Sequence, residues 1–223
     1  MDAFRSELNG QAARAEDLRH PMLTNFGHFS AMQVRDGCVQ GLDLHLERLA
    51  HATLDLFGHP LDLARTRAWM RQASDGAGAA TLRVNVFSRG LDRARLDRVV
   101  EPDVLVTTSP PGRLVARPVR VRSAAYQRDA PHIKHVGTFG LFLQKRLAQL
   151  AGYDDALFVD PTGAVAEGTI WNIGFVAQEG FVWPDAPALA GVSMQLLKAG
   201  LAATGVASVT RRVDLSEVGA FRG

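Results

Sequence analysis

Apolar residues recur along this chain with two periods. Between residues 42 and 58 they return every three to four positions. Leu42, Leu46, Leu49, Thr53 and Leu56 share one face, which predicts a helix from Leu42 to Gly58, with Asp43 capping its start and Gly58 ending it. Leu61 to Ala73, Val136 to Ala151 and Ser193 to Ala203 predict three more helices. In the helix from Val136, Phe142, Leu143, Leu147 and Leu150 are the expected apolar anchors, and Gly152 is the expected stop. Elsewhere the period falls to two. Leu82, Val84 and Val86 alternate with Thr81, Arg83 and Asn85, which predicts a strand over 81–88. Val104 to Thr108 and Val119 to Arg122 predict two others. Three hairpins are expected: His28 to Val34 with Cys38 to Gln40 around Asp36-Gly37, Asp155 to Val159 with Ala164 to Glu167 around Asp160-Pro161-Thr162-Gly163, and Trp171 to Val176 with Phe181 to Trp183.

Helices mixed with antiparallel hairpins predict an α+β fold in two lobes rather than a doubly wound sheet. The stretch SPPGRL is rich in turn formers and predicts a linker over 109–114, between a small lobe at 1–108 and a second at 115–223. Composition then removes function classes. The net charge is only +2, with no basic tract and no interleaving of arginine and aromatic residues, so nucleic acid is not an expected partner. No apolar run approaches the roughly 18 residues that span a bilayer, and the polar start MDAFRSELNG has no apolar signal core. A single cysteine, Cys38, leaves no internal disulfide and no multi-cysteine metal site. Together these make the cytoplasm the expected location. His132 and His135 have metal-ligand spacing, but the nearest acid is Asp129, so no metal is expected there.

Lysine is scarce: Lys134, Lys145 and Lys198 are the only three among 25 basic residues. Lys145 and Lys198 fall on polar helix faces and read as solvated. Lys134 sits in PHIKHVGTFG, between two histidines in an apolar, glycine-containing stretch. A lysine in a desolvated site becomes a free amine and a nucleophile, as Schiff-base chemistry requires. Spacing alone favours an ordinary loop lysine.

Four stretches shift that balance. They are LDLHLERLAHATLDLFG (42–58), the lysine followed by a helix and GYDDAL (152–157), LFVDPTGAVAEGTIWNIGFV (157–176), and LAGVSMQLL (189–197). Their order and spacing resemble the class IV aminotransferases. These are the fold-type IV pyridoxal 5′-phosphate (PLP) enzymes: branched-chain and D-amino-acid aminotransferases and aminodeoxychorismate lyases. The likeness covers residues 25 to 215.

The resemblance implies a two-lobe fold like that of D-amino-acid aminotransferase, with PLP as cofactor and the C-terminal lobe carrying the cofactor lysine. It places Lys134 as that lysine, Glu167 opposite the pyridine nitrogen, and Arg48 on the phosphate. Gly191, Val192 and Ser193 form an anion site where a loop enters the last helix, and Asn172 is a further cofactor contact. Arg83 and Thr138 fall on the substrate side. The implied activity is transfer of an amino group between an amino acid and a 2-keto acid, in a homodimer. An aminodeoxychorismate-lyase-type reaction and a non-catalytic relative are the alternatives. Two departures bear on that choice. Phe139 stands where branched-chain enzymes carry a tyrosine, and family members usually continue past RRVDLSEVGAFRG, which implies a shortened C-terminal lobe.

Overall fold

A computed structural model describes residues 4–112 and 117–222. The chain divides into two compact units, Met1–Val115 with Ile133–Gly137, and Ala116–His132 with Thr138–Gly223. Of the expected linker, Ser109 to Gly112 is described: Ser109 ends a strand, and the Gly112 N–H bonds Gln33 and Thr81. Arg113 and Leu114 lie outside the described residues.

The first unit contains β1 (Arg5–Leu8), β2 (Gln11–Ala12), α1 (Arg19–Thr24), β3 (His28–Arg35), β4 (Cys38–Val39), α2 (Leu42–Phe57), α3 (Leu63–Ala73), β5 (Ala79–Phe87) and β6 (Asp103–Ser109). The six strands form one sheet in the order β2-β1-β6-β5-β3-β4, antiparallel throughout. β3 and β4 meet at Asp36-Gly37, whose φ angles of 49° and 73° are those this turn demands. The alternation expected for residues 81–88 holds. Leu82, Val84 and Val86 are buried and pack with Met32, Leu46, Leu49, Phe57 and Val106 in the core. Each such side chain contributes about 1.5–3 kcal/mol. Asp43 does not cap α2. The cap is Gly41, in a left-handed conformation, and Asp43 lies in the first turn, where its charge meets the positive helix end.

The second unit contains β7 (Val121–Ala125), α4 (Phe139–Leu150), β8 (Asp155–Val159), β9 (Val165–Gly168), β10 (Phe175–Ala177), β11 (Gly180–Pro184), α5 (Val192–Ala203) and β12 (Ser208–Arg211). Two three-stranded sheets result, β7-β8-β9 and β10-β11-β12. β7 pairs with β8 and β11 with β12 in parallel, with α4 and α5 as the crossovers that parallel pairing requires. Phe158 and Val213 are cores of this unit, at 1% and 0% exposure.

Three expectations are corrected here. The helix expected from Val136 begins at Phe139, because residues 133–137 run extended beside β3. Phe29 N–H donates to Lys134 C=O, Val136 N–H donates to Gly27 C=O, and His28 bridges His135. The lysine segment therefore clusters with the first unit rather than the C-terminal one. In α4, Leu141 and Ala148 are buried, whereas the expected anchors Phe142, Leu143, Leu147 and Leu150 are exposed. The apolar stripe is wider than the face that packs on β8, so only part of it is covered within the unit.

Candidate active site

In the first unit, α2 and β3 set an arginine among buried polar groups. Arg48 lies one helical turn after His45, so both side chains reach the same residue of β3. Arg48 Nη2 donates to Ser30 Oγ, and Ser30 Oγ lies 2.7 Å from His45 Nδ1. The serine oxygen accepts from arginine, so its own proton goes to His45 Nδ1, and that nitrogen must be unprotonated. Burial, then the Arg48 charge, then the Lys134 charge depress His45 from 6.5 to about 4. Burial also lowers Arg48 from 12.5 to about 10. Arg48 Nε is buried and has no hydrogen-bond partner among the described residues.

Beside this group stands the Phe29 ring, with the Arg83 guanidinium 3.6 Å from its centroid and Lys134 Nζ 5.0 Å from it. Alternation predicts that Arg83 faces away from Leu82 and Val84. It does so, and it is half-buried: it stacks on the ring, donates to Asn85 Oδ1 at 2.8 Å, and is lowered by burial. Neither Arg48 nor Arg83 forms an ion pair among the described residues. Lys134, Arg48 and Arg83 thus lie in one unit, around Phe29 and His45.

In the second unit, Glu167 and Arg128 are paired, with Arg128 Nε to Glu167 Oε1 at 2.9 Å and both side chains 3% exposed. The other oxygen, Oε2, accepts the Leu189 N–H at 3.3 Å. Asn172 Nδ2 donates to the Leu189 C=O at 2.7 Å. Asn172 therefore holds the loop that enters α5. Gly191 is the N-cap of α5, with no side chain closing the first turn, so Val192 is the first helical residue and Ser193 the second. A Cβ at Gly191 would overlap Asn172 Oδ1, so this approach of loop to amide needs glycine. The N–H groups at Val192 and Ser193 sit at the positive end of α5, in the form that binds anions. Thr138 is the N-cap of α4 without a capping hydrogen bond, and Phe139 is 78% exposed.

The remaining lysines are corrected. Lys145 is bonded to the buried Asp155 at 2.9 Å, alongside Thr169, Trp171 and the Ala156 N–H. Lys198 lies over the Trp183 ring and donates to Thr210. Among the described residues no His, Cys, Asp and Glu side chains cluster as metal ligands, and no helix is long and apolar enough to cross a membrane. Four residues of the two groups escape a sequence reading: Ser30, His45, Phe29 and Arg128. His45 lies within LDLHLERLAHATLDLFG, three residues before Arg48, and that stretch could have pointed to it. Nothing in YQRDAP marks Arg128 as the partner of a residue 39 positions later.

The model of the family described as "Amino-transferase class IV" matches residues 27–223. A putative branched-chain-amino-acid aminotransferase of Methanocaldococcus jannaschii is 28% identical over 195 residues, which are 78% of this chain and 65% of that protein. Among solved structures, 4-amino-4-deoxychorismate lyase from Pseudomonas aeruginosa superposes with a TM-score of 0.78 at 24% identity, over 97% of this chain and 84% of that one. A hypothetical aminotransferase from Mycobacterium tuberculosis, in its PLP-bound form, gives 0.79 at 22% identity, over 98% and 85%. The α+β, fold-type IV architecture expected from the four motifs is therefore the observed one, and the chain belongs to the class IV aminotransferases.

Proposed function

We propose that this chain is a PLP-dependent aminotransferase that moves an amino group between an amino acid and a 2-keto acid, with Lys134 as the residue that holds the cofactor. The observation that carries this reading is the cation cluster of the first unit: Lys134 on the Phe29 ring, with the half-buried Arg48 keeping a buried Nε donor unused among the described residues. PLP is the cofactor of this family, and the residues present fit it. In the first unit, Arg48 Nε suits a phosphate oxygen; in the second, the open first turn of α5 suits an anion and the buried Glu167 suits a protonated ring nitrogen. The bound cofactor supplies an electron sink for negative charge at the substrate α-carbon.

The chain's own groups supply the rest. Lys134 Nζ would hold the cofactor and, as a free amine, would carry a proton from the substrate α-carbon. Arg83, stacked on the Phe29 ring, would hold the substrate carboxylate. Glu167 holds a proton at the ring nitrogen. A homodimer is part of the reading, and the exposed Phe142, Leu143, Leu147 and Leu150 on α4 support it.

The test is spectroscopic. Purified protein with PLP should show a visible band that Lys134→Ala abolishes. An amino donor should bleach that band, and a 2-keto acid should restore it. No band in the wild type sinks the proposal. Phe139, exposed where branched-chain enzymes carry tyrosine, favours a second reading, a lyase of the aminodeoxychorismate type. In that case turnover would release pyruvate and leave the band unbleached.

A further inference from the structure

We propose that Arg128 is a positioning residue for Glu167, fixing its direction so that one oxygen faces the cofactor's ring nitrogen; this rests on the reading of Glu167 given above. The contact is end-on. Arg128 uses Nε against Oε1 alone, at 2.9 Å, rather than the two-pronged grip that would occupy both oxygens. Among the described residues, Oε2 accepts only the longer bond, 3.3 Å, from Leu189 N–H. A carboxylate offers about four lone-pair sites, so Oε2 retains capacity for a further N–H donor.

Stability does not require this arrangement. A buried ion pair roughly breaks even against apolar side chains of the same volume. At 3% exposure for both partners, the charges at 128 and 167 need another reason. The surroundings hold the pair in one geometry. Glu167 and Asn172 bridge each other across the 168–171 turn, and Asn172 grips the same Leu189 peptide whose N–H meets Glu167. Glu167 is thereby held at both oxygens, and Arg128 supplies the side-chain half of that hold.

The experiment compares binding of PLP with binding of its 1-deaza analogue, which has carbon in place of the ring nitrogen. Both compounds keep the aldehyde and phosphate, so the contributions of Lys134 and Arg48 cancel in the ratio of dissociation constants. Wild type should favour PLP by about tenfold or more, the size of one charge-assisted hydrogen bond. Glu167→Gln should remove the preference. Arg128→Met should remove most of it while leaving affinity for the deaza analogue within about threefold, and Arg128→Lys should restore part of it. If Arg128→Met does not fold, Arg128→Gln, which keeps an N–H at similar reach, carries the same comparison with an intermediate ratio expected. An Arg128 variant that keeps the wild-type ratio, whatever its absolute affinities, overturns the proposal. A wild-type ratio near one, unmoved by Glu167→Gln, overturns the reading of Glu167 itself and this proposal with it.

Discussion

Lowering the pH from 7 to 5 should destabilise this protein through two imidazoles. His28 is 1% exposed and His45 is 6% exposed. Thr53 Oγ donates to Leu49 C=O, so it accepts from His28 Nε2 at 3.0 Å. One ring nitrogen of each histidine is thus committed, His28 as a donor at Nε2 and His45 as an acceptor at Nδ1. A second proton on His45 would face the Ser30 hydroxyl proton and the Arg48 charge. Burial first, then Arg48, lowers His28 to about 3, and the same causes lower His45 to about 4. Both folded values lie below the unfolded 6.5. The stabilising contribution is therefore complete above pH 6.5 and is lost as pH falls towards 4 and 3. At pH 5 the unfolded imidazoles are mostly charged and the folded ones mostly neutral. Linkage then gives a loss of about 2 kcal/mol per histidine between pH 7 and 5, or ~4 kcal/mol for both. That is a large share of an ordinary stability of about 5–15 kcal/mol. Carboxylates such as the buried Asp155 and the half-buried Asp103, whose values are lowered, contribute to acid unfolding mainly below pH 4. The assay is urea unfolding followed by circular dichroism at pH 7, 6 and 5 and constant ionic strength. His28→Gln keeps a donor near Thr53, and His45→Asn keeps an acceptor near Ser30. Each should recover about 2 kcal/mol of the pH dependence. A double variant that keeps the full wild-type slope would refute the argument.

Asp155→Asn should destabilise the second unit by about 2–3 kcal/mol in urea titrations, because a neutral amide loses Lys145 and cannot accept from all four donors. Gly191→Ala should leave the fold intact and weaken PLP binding about tenfold or more in fluorescence titrations, since its methyl displaces Asn172 and with it the start of α5. Arg83→Gln should raise KM for the amino donor about 10- to 100-fold with the visible band unchanged, the loss of one charged grip on a carboxylate. A band that shifts in this variant would mean that Arg83 contacts the cofactor rather than the substrate.

The periodic elements were legible in the chain because their burial follows one rule. β5 alternates and is covered on one face; α2 repeats every three to four residues and buries Leu46, Leu49 and Phe57. β12 was not legible, since Ser208 to Arg211 are all exposed and carry no alternation to read. The α4 stripe was read as core, although composition cannot distinguish an apolar face that packs internally from one that stays exposed. The positions of Lys134, Arg48 and Glu167 could be named from motifs. Their environments could not, because Ser30, Phe29 and Arg128 reach them from elements far away in sequence. Asn172 shows the difference most clearly. Its position was marked, yet its side chain serves the Leu189 peptide.

The buried charges show how the two units treat ionic groups. In the second unit, both buried acids among the described residues meet a cation: Glu167 meets Arg128 and Asp155 meets Lys145. In the first unit, among the described residues, Arg48 and Arg83 meet neutral atoms only, a hydroxyl, an imidazole nitrogen, an amide oxygen and a ring face. Taking an arginine out of water without a counter-charge costs several kcal/mol. Neutral imidazoles reduce that cost, because His28 and His45 add no positive charge beside Arg48. They do not remove it, as the lowered Arg48 and Arg83 show. What removes it is an anion. A phosphate beside Arg48 and a carboxylate beside Arg83 would each restore the missing charge. Binding of either should therefore stabilise the protein in proportion to ligand concentration, and inorganic phosphate alone should raise the midpoint of urea unfolding in the wild type and not in Arg48→Met.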